Sequence, residues 1–166
     1  MQRGQAERLA PMAREAMGVA RVSFAQLDRI AVTTGPGSFT GVRVGLSFAR
    51  ALALALGKPC VGVSTLEALA LSGSERELRA ALIETPGASY LAMYHDGVAI
   101  LAPRAIERGQ HTALIAEHAG NREVMLIGPN VSVDIASFAR RAARLDPGGY
   151  PPNPTYLRAP HVTLPA

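Results

Sequence analysis

The chain has 166 residues, of which 48% are hydrophobic and 18% charged, a balance that excludes global disorder and provides a core for one domain or two small lobes. The net charge of +4 comes almost entirely from arginine, since Lys58 is the only lysine, and it does not by itself establish a nucleic-acid partner. Cys60 is the only cysteine, which excludes an intrachain disulfide and predicts a reduced compartment, the cytoplasm.

The first elements predicted in chain order are a helix and a strand. Apolar residues at helical spacing predict an amphipathic helix over residues 5–17 that ends at Gly18. Residues 27–33 predict a strand that enters a turn rich in glycine, over residues 35–41. Such a turn fixes the shape of a site or of a docking surface.

A second helix is predicted over residues 41–56, and it is apolar on almost every face. A helix of this kind must be covered on nearly every side. Its longest apolar run, residues 51–56, is far shorter than the roughly 20 residues that a membrane helix needs, so no membrane partner is predicted.

A strand over residues 60–63 then completes a βαβ unit, which predicts that the two strands are parallel in one sheet. Ser64 and Glu67 have the spacing of a capping box for a third helix that continues to Leu71. Residues 72–74 predict a break after this helix.

The second half of the sequence predicts an antiparallel meander, then two helices around one more strand. The predicted elements are strands over residues 78–84, 89–94 and 98–101, a helix over residues 110–118, a strand over residues 123–127 and a helix over residues 131–145. The proline-rich segment of residues 146–160 is predicted to be extended and to wrap the surface, because proline cannot continue a helix.

The glycine turn and the segments after it resemble a known family. Residues 35–45 read Gly-Pro-Gly-Ser-Phe-Thr-Gly-Val-Arg-Val-Gly, and residues 62–69 read Gly-Val-Ser-Thr-Leu-Glu-Ala-Leu. Together they resemble the TsaB (YeaZ) family, whose members are needed to form threonylcarbamoyladenosine in tRNA. The resemblance spans residues 28–70, and residues 156–160 resemble the closing segment of that family.

The resemblance implies an α/β fold of the actin-like, Hsp70-like ATPase type, related to ribonuclease H, with a mixed sheet and flanking helices. It divides the chain into a first lobe of residues 1–75 and a second lobe of residues 76–166. The opening strand and hairpin of the family have no counterpart here, so the first lobe is expected to be incomplete, with an uncovered sheet edge. The Asp and Arg that usually follow Ile83 in the family are also missing, so no function is assigned to Glu84.

The resemblance also implies a chain that has no catalytic activity of its own. TsaB-like proteins bind TsaD, the catalytic subunit, and with TsaE the set transfers a threonylcarbamoyl group to an adenosine of tRNA. The implied partners are therefore a TsaD-like subunit, a TsaE-like ATPase in the wider complex and, when the chain is alone, a second copy of it. Contact with tRNA is expected to be indirect, and no cofactor is expected. The alternative is a weak ATPase or a peptidase-like hydrolase of the wider family.

In the family the first two helices form the homodimer and TsaD contacts, and the apolar character of these helices here agrees with a partner surface. Small residues four apart on the second helix would let another helix approach closely, with neighbouring leucines as anchors. The alternative is that the sheet and the other helices cover this surface completely. The predicted interface residues are Leu9, Met12, Ala13, Ala16, Val42, Gly45, Leu46, Ala49, Leu52, Ala53 and Leu56.

The glycine turn could also bind phosphate through free backbone amides at the start of the second helix. Gly35, Gly37, Ser38 and Thr40 are the candidate residues. The turn lacks the lysine and the spacing of a Walker A loop, so a structural turn with a docking role is favoured. Ser38 is not framed by glycines as Gly-x-Ser-x-Gly, and no catalytic residue is predicted.

The remaining candidates for a functional site are the histidines and the arginines. The histidines show no ligand spacing, so no metal site is predicted. Two loose groups of arginines could contact RNA phosphates, or they could be a solvated surface without an aromatic platform for base stacking. These groups are Arg3, Arg8 and Arg14 near the start, and Arg140, Arg141 and Arg144 near the end.

Overall fold

The structure is a computed structural model that describes residues 5–72 and 77–157. The predicted break at residues 72–74, the lobe boundary at residue 75, Arg3 and residues 158–160 lie wholly or partly outside these ranges. In chain order the elements are α1 (Gln5–Ala20), β1 (Ile30–Thr33), α2 (Phe39–Leu56), β2 (Cys60–Val63), α3 (Thr65–Ala70), β3 (Leu78–Glu84), β4 (Ser89–His95), β5 (Val98–Ile106), α4 (His111–Ala119), β6 (Val124–Ile127) and α5 (Ile135–Arg144).

The first sheet consists of β1 and β2, which pair in parallel with Ile30 opposite Cys60 and Thr33 opposite Val63. The connection between them is α2, which packs on β1, and α1 packs in turn against α2. The predicted βαβ unit is therefore confirmed.

The second sheet has the order β5-β4-β3-β6. The strands β3, β4 and β5 are antiparallel neighbours, as the predicted meander requires, whereas β6 pairs with β3 in parallel. Helix α3 covers one face of this sheet and α4 the other. Burial on both faces explains why β3 is a nearly continuous apolar run. Its successive residues Ala80 and Ala81 point to opposite faces, where Ala80 packs with α4 and Ala81 with α3.

The proline-rich segment forms no helix or strand over residues 151–157, and it packs on the first sheet and the glycine turn. Thr155 donates its backbone N–H to the carbonyl oxygen of Thr34 at 2.9 Å, and Gly62 donates to Tyr150 at 2.9 Å. A Cβ atom on Gly62 would lie 2.7 Å from the carbonyl oxygen of Pro151, closer than packed atoms approach, so this contact requires glycine.

The end of α1 differs from the prediction. Gly18 does not end the helix, which continues to Ala20. The ending is a Schellman arrangement in which Val22 donates to the carbonyl of Met17 and Arg21 to that of Gly18, both at 3.1 Å, with Arg21 at a φ of 54°. An arginine in the left-handed region is uncommon, so Gly18 is the helix end that residue types alone predict.

The predicted capping box at the start of α3 is wrong. Ser64 makes no side-chain hydrogen bond to the backbone of α3, and its hydroxyl donates instead to the carbonyl oxygen of Gly35 at 3.4 Å. Glu67 accepts a hydrogen bond from Arg141 of α5 at 2.9 Å. Both side chains therefore hold α3 to other parts of the chain, because partners distant in sequence replace the local cap.

Other boundaries also differ: β1 begins at Ile30 and not at residue 27, and α2 begins at Phe39 and not at residue 41. Helix α5 begins at Ile135 and not at residue 131, because the Asp134 carboxylate caps it by accepting from the backbone N–H groups of Ala136 and Ser137 at 3.0 and 3.3 Å. Strand β5 continues past the predicted end at residue 101, through Pro103. As the edge strand of its sheet it tolerates a residue that has no backbone N–H.

Candidate docking face and neighbouring cavities

Helix α2 combines an apolar sequence with little burial. Its 18 residues are long and apolar enough to cross a membrane by length and composition alone, yet only 17% of them are buried within the chain. Because α2 connects two parallel strands, one side of it packs on the sheet that these strands form. The other sides leave apolar surface uncovered.

The side of α2 that faces the sheet contains several predicted interface residues. Leu46, Ala49 and Ala53 are 3%, 5% and 4% exposed, and a Cβ atom on Gly45 would lie 3.9 Å from Val32 of β1. The small residues therefore let the sheet approach the helix, where a second helix was expected. Leu46, Ala49 and Ala53 are therefore not accessible to a partner, which corrects the prediction for these three residues, whereas Gly45 is half-buried.

The other predicted interface residues remain at least partly accessible. Met12 is 54% exposed and Ala16 is exposed, whereas the rest are half-buried, namely Leu9, Ala13, Val42, Leu52 and Leu56. The most exposed apolar side chains, Leu54 at 85% and Val19 at 81%, were not among the predicted interface residues. We call the outer sides of α1 and α2, with Met12, Val19 and Leu54 as their large apolar residues, the docking face.

The glycine turn is held between α3 and the extended tail. Gly35 has a φ of +100°, and its carbonyl oxygen accepts from the backbone N–H of Thr65 at 2.8 Å. A Cβ atom on Gly35 would lie 3.3 Å from the carbonyl oxygen of Thr155. Ser38 caps α2, with its hydroxyl oxygen 3.4 Å from the N–H of Gly41. These contacts set the direction in which α2 leaves the turn.

An apolar cavity of about 350 Å³ lies beside the turn, between it, the β3–β4 hairpin and the tail. Among the residues that the structure describes, its one basic lining group is the guanidinium of Arg43, which lies 3.8 Å above the Phe39 ring and donates from Nε to the Tyr156 hydroxyl at 3.2 Å. An apolar wall with its arginine already engaged does not favour an anion. Phosphate binding by Gly35, Gly37, Ser38 and Thr40 stays a prediction.

A second cavity, of about 430 Å³, lies between α3, α5 and the strands β3 and β4. Arg140, Arg141 and Arg144, the later of the two predicted arginine groups, line it together with Arg79 of β3. The Arg141 guanidinium forms a salt bridge with Glu67 at 2.9 Å. Burial raises the pKa of the Tyr94 phenol in its wall well above the usual range, and the charge of Glu67 raises it further, so Tyr94 stays protonated.

The described residues offer little for nucleophilic or metal chemistry. Within residues 5–72 and 77–157, no three His, Cys, Asp or Glu side chains lie together as metal ligands would. Burial raises the pKa of the Cys60 thiol, although Arg50 acts in the opposite direction. Cys60 is thus a weakly reactive thiol at neutral pH.

Comparison with solved structures agrees with this architecture. A structure from Pseudomonas aeruginosa, described as an uncharacterized protein with similarity to peptidase YEAZ, superposes with a TM-score of 0.66 at 26% identity over 94% of this chain and 85% of that one. YeaZ from Pseudomonas aeruginosa superposes with a TM-score of 0.63 over 90% of this chain. The fold is the actin-like, ribonuclease H-like α/β fold, as predicted.

Sequence comparison finds relatives whose names refer to threonylcarbamoyl modification of tRNA. The family model for TsaD, tRNA N6-adenosine threonylcarbamoyltransferase, matches residues 1–128. The transferase of that name from Erythrobacter litoralis is 45% identical over 58% of this chain and 29% of its own length. The tRNA threonylcarbamoyladenosine biosynthesis protein TsaB of Escherichia coli is 37% identical over 55% of this chain and 42% of its own length.

The chain belongs to the TsaB (YeaZ) family, within the wider group that the TsaD family model describes. It spans less than half the length of these two curated relatives.

Proposed function

We propose that this chain is a non-catalytic subunit that supports threonylcarbamoyl transfer to tRNA by binding a TsaD-like catalytic subunit through the docking face. The names of the relatives support a role in threonylcarbamoyl modification of tRNA, since they include both a TsaB and a tRNA threonylcarbamoyltransferase. In this proposal a TsaE-like ATPase belongs to the wider complex, tRNA is contacted indirectly, and the complex is cytoplasmic.

The observation that supports docking most strongly is the exposure of α2. An isolated exposed leucine is ordinary, but here Leu54 at 85% lies on a largely apolar helix that is only 17% buried, although Arg43, Ser47 and Arg50 are exposed on it as well. The neighbouring helix α1 adds Met12 and Val19. Exposed apolar residues on two adjacent helices are typical of a surface that a protein partner covers.

The glycine turn supports the non-catalytic part of the proposal. The carbonyl of Gly35 and the hydroxyl of Ser38 are engaged in hydrogen bonds within the chain, and the cavity beside the turn is largely apolar. The turn thus has a structural role that requires no bound nucleotide. A nucleotide phosphate would bind there through backbone N–H groups, so ATP turnover by the isolated chain remains the test of the alternative.

The direct test is the affinity of the full chain for the TsaD-like subunit, measured by isothermal titration calorimetry with single variants. Leu54→Asp places a charge on the docking face without disturbing a buried contact, and we expect binding to weaken at least about tenfold, as for an interface anchor. The matched control is Ile135→Asp, because Ile135 is also apolar and 70% exposed but lies on α5. The control is expected to bind like the unmodified chain.

The outcomes separate the proposal from its rival. Absence of a complex, or equal losses for Leu54→Asp and Ile135→Asp, would contradict docking through α1 and α2. ATP turnover by the isolated chain that disappears in the Ser38→Ala variant would favour the ATPase alternative. A charged residue at Leu46 would not be informative, because that side chain is buried and its replacement would disrupt the core.

The docking face can also join two copies of the chain, and we propose that a homodimer forms in the absence of the TsaD-like subunit. Both partners would cover the same helices, so they must compete. Light scattering during a titration should show the dimer replaced by a heterocomplex, with the dimer weakened by Leu54→Asp. A TsaD-like subunit that adds to an intact dimer without Leu54 dependence would contradict a shared face.

A further inference from the structure

The cavity between α3, α5 and the second sheet has an unusual charge composition. Among the residues that the structure describes, its lining includes four arginines, Arg79, Arg140, Arg141 and Arg144, and two carboxylates, Glu67 and Asp96. Arg141 is paired with Glu67. The side chains of Arg140 and Arg144 extend from the exposed part of α5, so the lining has an excess of positive charge.

Arg79 gives the cavity a basic inner wall. It lies on the central strand β3 and is only 1% exposed, opposite Tyr94 of β4, which also lines the cavity. A guanidinium in such a place is strongly desolvated, and the same low-dielectric surroundings strengthen its attraction for an anion that enters. The lining thus runs from this buried arginine to the accessible arginines of α5.

The chemistry of the lining suits phosphate. Guanidinium groups are planar and donate two parallel hydrogen bonds to phosphate oxygens, and several of them around a cavity raise the local concentration of an anion. About 430 Å³ accommodates a phosphate together with part of its carrier. The Tyr94 ring is buried in the wall, so the described part of the lining offers no exposed aromatic surface for stacking a base. Recognition would therefore depend on phosphate and not on base identity.

We propose that this cavity is a phosphate-binding site in which Arg140 and Arg144 bind the oxyanion, Arg79 adds positive charge at the inner wall, and the Arg141–Glu67 pair fixes the position of α5 against α3. The phosphate can belong to the backbone of tRNA or to a free nucleotide, since the same group is recognised in both. This inference does not depend on the docking proposal, because the two use different surfaces.

The test is a titration of the full chain with inorganic phosphate, AMP and unmodified tRNA at several salt concentrations. The double variant Arg140→Gln/Arg144→Gln removes two accessible charges and no buried contact. We expect it to weaken phosphate and AMP binding at least about tenfold, and to lower the slope of tRNA affinity against salt by about 2, one for each arginine. The matched control, Arg104→Gln/Arg108→Gln, removes the same charge from exposed arginines outside the cavity and outside both predicted arginine groups.

Each result has a defined meaning. Competition between phosphate and tRNA, with both weakened only by the α5 variant, supports the site and identifies RNA backbone as the source. Binding of phosphate and AMP that tRNA does not displace supports the site with a free nucleotide as the source. Absence of phosphate binding, or equal losses in the control variant, would overturn the proposal. Arg79→Met adds a test of the inner wall, provided that circular dichroism shows the variant to be folded.

Discussion

The docking face and the arginine cavity are assembled from the sequence in different ways. The docking face is formed by two helices near the start of the chain, and its character follows from the apolar sequence of α2. The cavity combines Arg79 of a central strand with arginines of α5 and a carboxylate of α3, which only the tertiary structure brings together. Local sequence therefore indicates the apolar surface, whereas the basic site emerges from packing.

The largest effect is expected within α2, where the side that faces the sheet can be compared with the side that belongs to the docking face. Leu46→Ala should lower the free energy of unfolding by about 3 kcal/mol, because it leaves a void in a buried contact with the sheet. Leu54→Ala should change it by less than about 0.5 kcal/mol, because that side chain is exposed. Urea denaturation measures both values. Similar losses for the two variants would show that the inner and outer sides of the helix have been assigned incorrectly.

The second prediction concerns the tail that supports the glycine turn. Gly62→Ala should destabilise the chain by about 2 kcal/mol, since the new methyl group would lie 2.7 Å from Pro151 and 2.8 Å from Pro152. Gly128→Ala is the control, because a Cβ atom there meets nothing within 4 Å. Thermal denaturation distinguishes them. If Gly62→Ala is as stable as the control, the tail does not pack on β2 as described.

A smaller effect is expected for Glu67→Gln in the arginine cavity. The substitution removes one of the two described carboxylates, so phosphate affinity should rise several-fold, while stability falls by about 1 kcal/mol through loss of the Arg141 pair. Binding to the TsaD-like subunit should not change. Calorimetry with phosphate and with the subunit measures both, and a loss of phosphate affinity would be the opposite of what the charge balance predicts.

The smallest effect concerns the start of α5, which holds two of the cavity arginines. Hydrogen bonds from Ser137 lower the pKa of the Asp134 carboxyl, so its contribution to stability is present above the ordinary carboxyl pKa and is lost as the pH falls through the lowered folded value. Asp134→Asn keeps a capping side chain but cannot titrate. Below about pH 4 the unmodified chain should lose stability more steeply than this variant, as measured by urea denaturation across pH. If the two proteins lose stability equally below this pH, the Asp134 cap is not the cause of the loss.

Much of the fold follows from local patterns. The strands over residues 60–63 and 78–84 have the predicted bounds, because short apolar runs between turn residues define them. Other details do not follow from the spacing of residue types. Arg21 ends α1 because it adopts a left-handed backbone conformation, and the Ser64 side chain bonds to Gly35, which is distant in sequence. Division into two lobes at residue 75 remains a prediction.

The candidate sites were less predictable for physical reasons. Because α2 is apolar on most sides, periodicity could not show that Leu46 faces the sheet and Leu54 faces outward. The loose group formed by Arg140 and Arg144 was visible in the sequence, but a lone Arg79 in an apolar strand gave no sign that it would complete a cavity. Contacts between distant segments decide both cases.

Hydrogen–deuterium exchange of the chain, with and without the TsaD-like subunit, tests the docking face most directly. If the docking face binds the subunit, amides in α1 and in residues 47–56 of α2 should exchange more slowly in the complex, while those of α5 should be unchanged. Protection confined to α5, or none in α1 and α2 under conditions where the complex forms, would contradict docking through these helices.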